Sequence, residues 1–184
     1  DSEGKEFVAV YLNIDEYSFV QTNLDMKSFA FFQANLGSLD DSFLRNMIWK
    51  SIYDMVADCK LSSKKFLETV INNLPLENSP ATLSDLCGNT REALVTYVPL
   101  KFRNEIGNKL FSIIYNILAT KELNIEVSRV LIETLIATAR SLENTNILIQ
   151  WFESNVPELA SYKLSIYNEW AITKKVLRSE HISE

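Results

Sequence analysis

The chain has 184 residues, 47% of them hydrophobic and 23% charged, ordinary globular composition for one domain or slightly more. Its net charge is −6 and it has no lysine- or arginine-rich run, so no nucleic-acid partner is expected. No apolar run reaches the ~20 residues that cross a bilayer, so no membrane partner is expected either.

Four Gly and four Pro are too few for a turn-rich all-β chain, and the composition predicts mostly helix. The first residues, DSEGKEF, are polar and lack the apolar core of a signal peptide. No Asn-X-Ser/Thr sequon follows, and the expected location is cytoplasmic. Residues 7–12, FVAVYL, and 18–22, SFVQT, read as β-prone segments around a turn at Asn13-Ile14-Asp15-Glu16. Two strands alone are marginal. They read as the edge of a sheet that this chain does not contain in full, with residues 1–23 as the end of a preceding domain.

From residue 24 to 184 the pattern is helical. Asp25 offers an N-cap for a helix through about Asn35, with Gly37 in the role of the residue just past its end. Asp40 to Ser42 offer caps for the next helix, whose Leu44, Ile48, Ile52, Met55 and Cys59 recur at helical spacing. Trp49 and Val56 widen that face, and Phe43 with Met47 places apolar bulk on nearly the opposite side, so this helix reads as sandwiched between neighbours. A serine at 62 or 63 caps a partner carrying Phe66, Leu67, Val70 and Ile71, which Asn72-Asn73-Leu74-Pro75 ends. Ser79-Pro80 is a start signal for a face of Leu83, Leu86, Cys87, Thr90, Leu94 and Tyr97. Pro99 opens a stripe of Phe102, Ile106, Leu110, Ile113 and Ile117; Val127, Leu131, Leu135 and Leu142 form another. A shorter helix from Ile147 to Phe152 precedes Pro157, and a last one carries Trp170, Ile172 and Val176. Paired helices thus begin near Ser42, Ser79 and Ile125, a period of about 40 residues that suits a HEAT- or armadillo-like α-superhelix of antiparallel pairs with a concave face.

The motifs of catalysis are absent. His181 is the one histidine and lies in a polar tail, with no HExxH for a zinc site and no G-x-S-x-G for a nucleophile. The glycines are isolated, so no phosphate loop forms. Cys59 and Cys87 read as small core residues, without metal-ligand spacing. Asp54 reads as a carboxylate paired with Lys50 or hydrogen-bonded to a neighbouring helix; a catalytic acid would need a partner the chain lacks. Trp49 reads as core packing, with ligand stacking as the alternative. Arg91, Arg103 and Arg129 could hold a peptide carboxylate in a groove, although solvated helix faces are the simpler reading. No catalytic, cofactor or metal residue is expected in this chain, and the substrate-binding residues are not legible.

LNIDEYSFVQTNLD, a short helix and then SFLRNMIWKSIYDMVADCKLSSKKFLETVINNLPLE resemble the C-terminal region of zinc aminopeptidases of the aminopeptidase N and endoplasmic-reticulum aminopeptidase type. Arg45, Trp49, Asp54, Met55, Asp58 and Leu61 carry its most distinctive spacing. LIATARSLENTNILIQWFES and LSIYNEWAITKKV resemble the later helices of that family. The resemblance implies that residues 1–23 end a β-sandwich domain and that 24–184 are a helical C-terminal domain, cut short at its far end. It implies a larger parent enzyme whose catalytic domain holds the zinc and whose helical domain encloses, gates or grips peptide substrates. The rival expectation is a free-standing HEAT-like scaffold that binds a protein partner. An independent enzyme is disfavoured by the missing constellation.

Overall fold

A computed structural model describes residues 6–15 and 17–180; Glu16 of the expected turn and His181 lie outside them. Among the described residues the fold is all-helical, with no strand. The helices are α1 (Met26–Asn35), α2 (Ser42–Ala57), α3 (Ser63–Asn73), α4 (Pro80–Glu92), α5 (Leu100–Thr120), α6 (Ile125–Thr138), α7 (Leu142–Phe152) and α8 (Ile166–Glu180). Seven start where a side-chain oxygen takes an orphan N–H of the first turn, with Ser79 accepting from Thr82 and Ser165 from Asn168 among them. Asp25 accepts from Lys27 and Ser28, Asp41 from Phe43 and Leu44, Ser62 from Lys65, Asn124 from Val127, and Ser141 from Asn144.

The chain divides into two compact units between Thr82 and Leu83, a division the sequence reading did not draw. In the first, α1 and α2 both pack on α3. Its interior is Phe29, Leu36, Ile48, Ile52, Phe66, Leu67 and Val70, all 2% exposed or less, and each such side chain contributes about 1.5–3 kcal/mol on burial. Gly37 is there for space and not for a left-handed turn. Helix α1 runs on into a 3₁₀ turn over Leu36–Ser38, and a Cβ on Gly37 would stand 2.7 Å from Leu76 Cβ. The Gly37 N–H donates to Asn73 Oδ1 at 2.8 Å, which ties the end of α1 to the end of α3.

A buried ion pair holds the loops of this unit together. Arg45 on α2 is 4% exposed and Glu77 is 5% exposed. Arg45 Nη2 lies 2.8 Å from Glu77 Oε1 and Nε 3.0 Å from Oε2, the two-pronged geometry that favours arginine over lysine. Nη1 donates to the carbonyl of Leu39 at 2.6 Å, and Glu77 Oε1 also accepts from the backbone of Asn78 and Ser79. Burial pushes the Glu77 carboxyl up, but Arg45 and these N–H groups together hold it below its ordinary value.

The two expected β segments form no strand, because they meet side chains and helices rather than a second ladder. Val10 N–H donates to Ser28 Oγ, and the Tyr11 hydroxyl donates to the Met47 carbonyl. Asn13, at φ 59°, closes the intervening turn through two bonds to Ser18. Phe7, Val8, Leu12, Tyr17, Phe19 and Val20 all remain exposed.

In the second unit α5 packs on α6, α6 on α8, and α7 on α8. The main packed neighbours are therefore α5–α6 and α7–α8, out of phase with pairs opening at Ser79 and Ile125. The end of α4 is irregular. The helix widens into a π turn over Ala93–Tyr97, marked by Val98 N–H bonding to the Ala93 carbonyl. Val98 and Pro99 then run extended before α5 begins. The buried line of α5 is Ile106, Leu110, Phe111, Ile114, Ile117 and Leu118, so Phe102 (41% exposed) falls outside the expected stripe.

Two further expectations change. Leu142 does not continue the stripe of α6: the helix stops at Thr138, Ala139 is extended, and Leu142 opens α7 exposed to solvent. Cys59 is not core; it follows α2 at φ 59° and is exposed. Of the apolar residues that the last helix carries, Trp170 is 61% exposed while Ile172 is buried.

Candidate functional site

Trp49 is 2% exposed and meets Phe66 edge-on at 6.3 Å, with its indole N–H buried and unbonded. A ring so placed is packing and has no free face for a ligand. Asp54, one turn further along α2, lines a cleft of 630 Å³ in the first unit with Tyr11, Phe19, Lys50 and Ser51. Burial raises its carboxyl above the ordinary value, the Lys50 ammonium pulls it back, and Asp58 pushes it up.

The second unit contains a larger open cleft of 1220 Å³ between the Leu118–Glu133 segment and residues 158–168. Leu118 and Ile132 give it an apolar floor, while Tyr162, Tyr167, Arg129 and Glu133 supply polar and aromatic walls. Arg129 stands at this cleft with its Nε 3.4 Å from Glu133 Oε1. Arg91 does not line the cleft but reaches the same Glu133 at 3.7 Å while donating to Thr134 Oγ1 at 2.9 Å. Arg103 donates Nε to the Val98 carbonyl at 2.7 Å. The three arginines picked out in the sequence thus do not converge on one groove.

Cys87 is buried, and burial pushes its thiol up to about 11 against the pull of Thr134 and Arg91, which leaves it inert as a nucleophile. Among the described residues no three His, Cys, Asp or Glu side chains come together as a group that could hold a metal ion. No helix among them is long and apolar enough to cross a membrane.

Sequence reasoning missed two arrangements. Arg45 and Glu77, 32 residues apart, carry no local signal of their pairing. Arg140 and Lys175 likewise meet only through the packing of α6 on α8. Burial and the neighbouring Arg140 and Arg178 lower the Lys175 ammonium to about 7.

No family model matches the chain. Aminopeptidase N of Streptomyces lividans is 27% identical to it over 95 residues, 51% of this chain. The match spans 11% of the length of that relative, and the chain is similar to part of an aminopeptidase N.

Proposed function

We propose that this chain is the C-terminal helical domain of a larger zinc aminopeptidase, and that it encloses the peptide cavity of the parent and gates or grips peptide substrates. The similarity to aminopeptidase N over half the chain carries this reading. The N-terminal segment supports it: exposed Phe7, Val8, Leu12, Phe19 and Val20 are what the edge of a sandwich domain leaves bare when the rest of its sheet is elsewhere. The open cleft of the second unit supports it too, since a lined concavity without chemistry suits a wall of a peptide chamber. In this proposal the helix pairs stack as a superhelix, the catalytic domain is the partner, and zinc belongs to that domain. The exposed free thiol of Cys59 suits the reducing cytoplasm.

The first test is the reading frame upstream. HExxH followed by a more distant glutamate ligand supports the proposal; its absence transfers the chain to the free-standing scaffold. The second test uses the full-length parent carrying Tyr167→Ala and Arg129→Ala. Specificity constants for long peptides fall or shift while those for single-residue reporters stay close to wild type, because remote contacts orient only substrates that reach them. Equal effects at every substrate length refute a role in reading the peptide.

A further inference from the structure

We propose that Arg103, Arg140, Lys175 and Arg178 form a binding site for an oxyanion, a carboxylate in the first instance. Three helices bring them together inside the second unit. Arg140 follows the end of α6 and lays its stem on α5 where Gly107 leaves room: a Cβ there would stand 2.6 Å from Arg140 Cγ and 2.9 Å from the Thr138 carbonyl oxygen. Arg103 is one turn before Gly107 on the same helix. From α8, Lys175 Nζ donates to the carbonyls of Ala137 and Ala139 at 2.9 and 2.6 Å, and Arg178 follows three residues on.

Arg140 senses both Arg103 and Arg178, and Lys175 senses Arg140 and Arg178, in each case as repulsion added to burial. Among the described residues no carboxylate pairs with Arg103, Arg140 or Arg178. The Arg140 Nε is buried with no hydrogen-bond partner. In a chain with 24 acidic and 18 basic residues, three guanidinium groups that pair with no carboxylate among the described residues are a local arrangement. Like charges gathered under partial cover cost free energy that an anion recovers. Arg178 is exposed and Arg103 and Arg140 are half-buried, so the site is open to solvent, and guanidinium forks match a planar carboxylate.

The test is calorimetric titration of the full chain with citrate, with inorganic phosphate, and with a hexapeptide as its free acid and as its amide, all at constant ionic strength. Wild type binds at least one of citrate, phosphate and the free-acid peptide. Arg140→Gln weakens that binding at least tenfold. Arg178→Gln, at an exposed position, does the same without threatening the fold, while Lys64→Gln, an exposed lysine of the first unit, leaves it unchanged. The Lys175 ammonium, followed by NMR, titrates higher in the saturated protein than in the free one. Competition by the free acid but not the amide assigns the site to the end of a peptide chain; citrate or phosphate binding alone assigns it to a small anion. The proposal is overturned if wild type binds none of these anions, or if Arg178→Gln binds them as wild type does. This outcome is independent of whether the parent is an aminopeptidase.

Discussion

Two arginines, one in each unit, are drawn under cover, and their surroundings are opposite. Arg45 meets a bidentate carboxylate and the carbonyls of Leu39 and Asp40. Arg140 meets Arg103 and Arg178 and leaves a buried N–H unbonded. The first arrangement is closed: every strong donor faces an acceptor, and the result is a staple between loops. The second has donors in excess of acceptors. A buried charge that has used up its partners holds the fold, whereas one that lacks them is available to a ligand.

Removing Glu77 should have the largest effect. Glu77→Ala leaves the Arg45 guanidinium buried and unpaired, and urea denaturation should show a loss of about 3–5 kcal/mol. A loss under about 1 kcal/mol would mean that the pair is not the staple described. The pH dependence follows the same group. The folded carboxyl lies below its ordinary 4.5, so its stabilisation is complete above that value and is lost as pH falls through the lower folded one. Glu77→Ala should lack that acid-side component, which parallel denaturation series below pH 5 would reveal.

Gly37→Ala comes next, at about 1–3 kcal/mol, because the new methyl meets Leu76 Cβ rather than the end of a flexible chain. An unchanged melting temperature would show that the Leu74–Leu76 turn yields freely. Arg140→Met sharpens the contrast with Arg45: removing a cation that its neighbours repel should leave stability within about 1 kcal/mol of wild type, or higher. In the same region Lys175 titrates at about 7 folded against 10.5 as an ordinary lysine. Between those values the unfolded chain holds a proton the folded one does not. Its contribution to stability therefore rises with pH across that window and levels off above it. Lys175→Met should flatten this alkaline rise in stability curves taken from pH 6 to 11. The smallest effect is expected from Asp54→Asn, within about 0.5 kcal/mol, with any change at pH 7 a gain because burial disfavours the charged form. A clear loss would mean that the charged carboxylate has a stabilising partner.

The helices were legible because their signals are local. Asp25, Asp41, Ser62 and Ser79-Pro80 mark starts within three residues of their targets, and buried residues recur every three or four. Leu142 shows where that logic stops: its spacing from Leu135 continues the stripe, yet three residues of non-helical backbone intervene. Cys59 failed for a related reason, since a positive φ just past a helix end leaves no trace in apolar periodicity. The β-prone stretch at 7–12 kept its composition but found no ladder among the described residues. The candidate sites were the least legible. Arg45 with Glu77, and Arg140 with Lys175, are joined by packing across more than thirty residues, a distance over which sequence spacing says nothing.

The π turn at Ala93–Tyr97 has a consequence for how the length of this chain can change. A five-residue reach between Ala93 and Val98 holds one residue more than the regular helix does. Removing Val95 or Thr96, both exposed, would let the backbone close to the ordinary pitch without deleting a core side chain. Everything beyond would then be rotated by about 100° relative to what precedes it. The turn is thus the place where a single-codon deletion is easiest for the backbone and most disruptive for the register of the helices on either side.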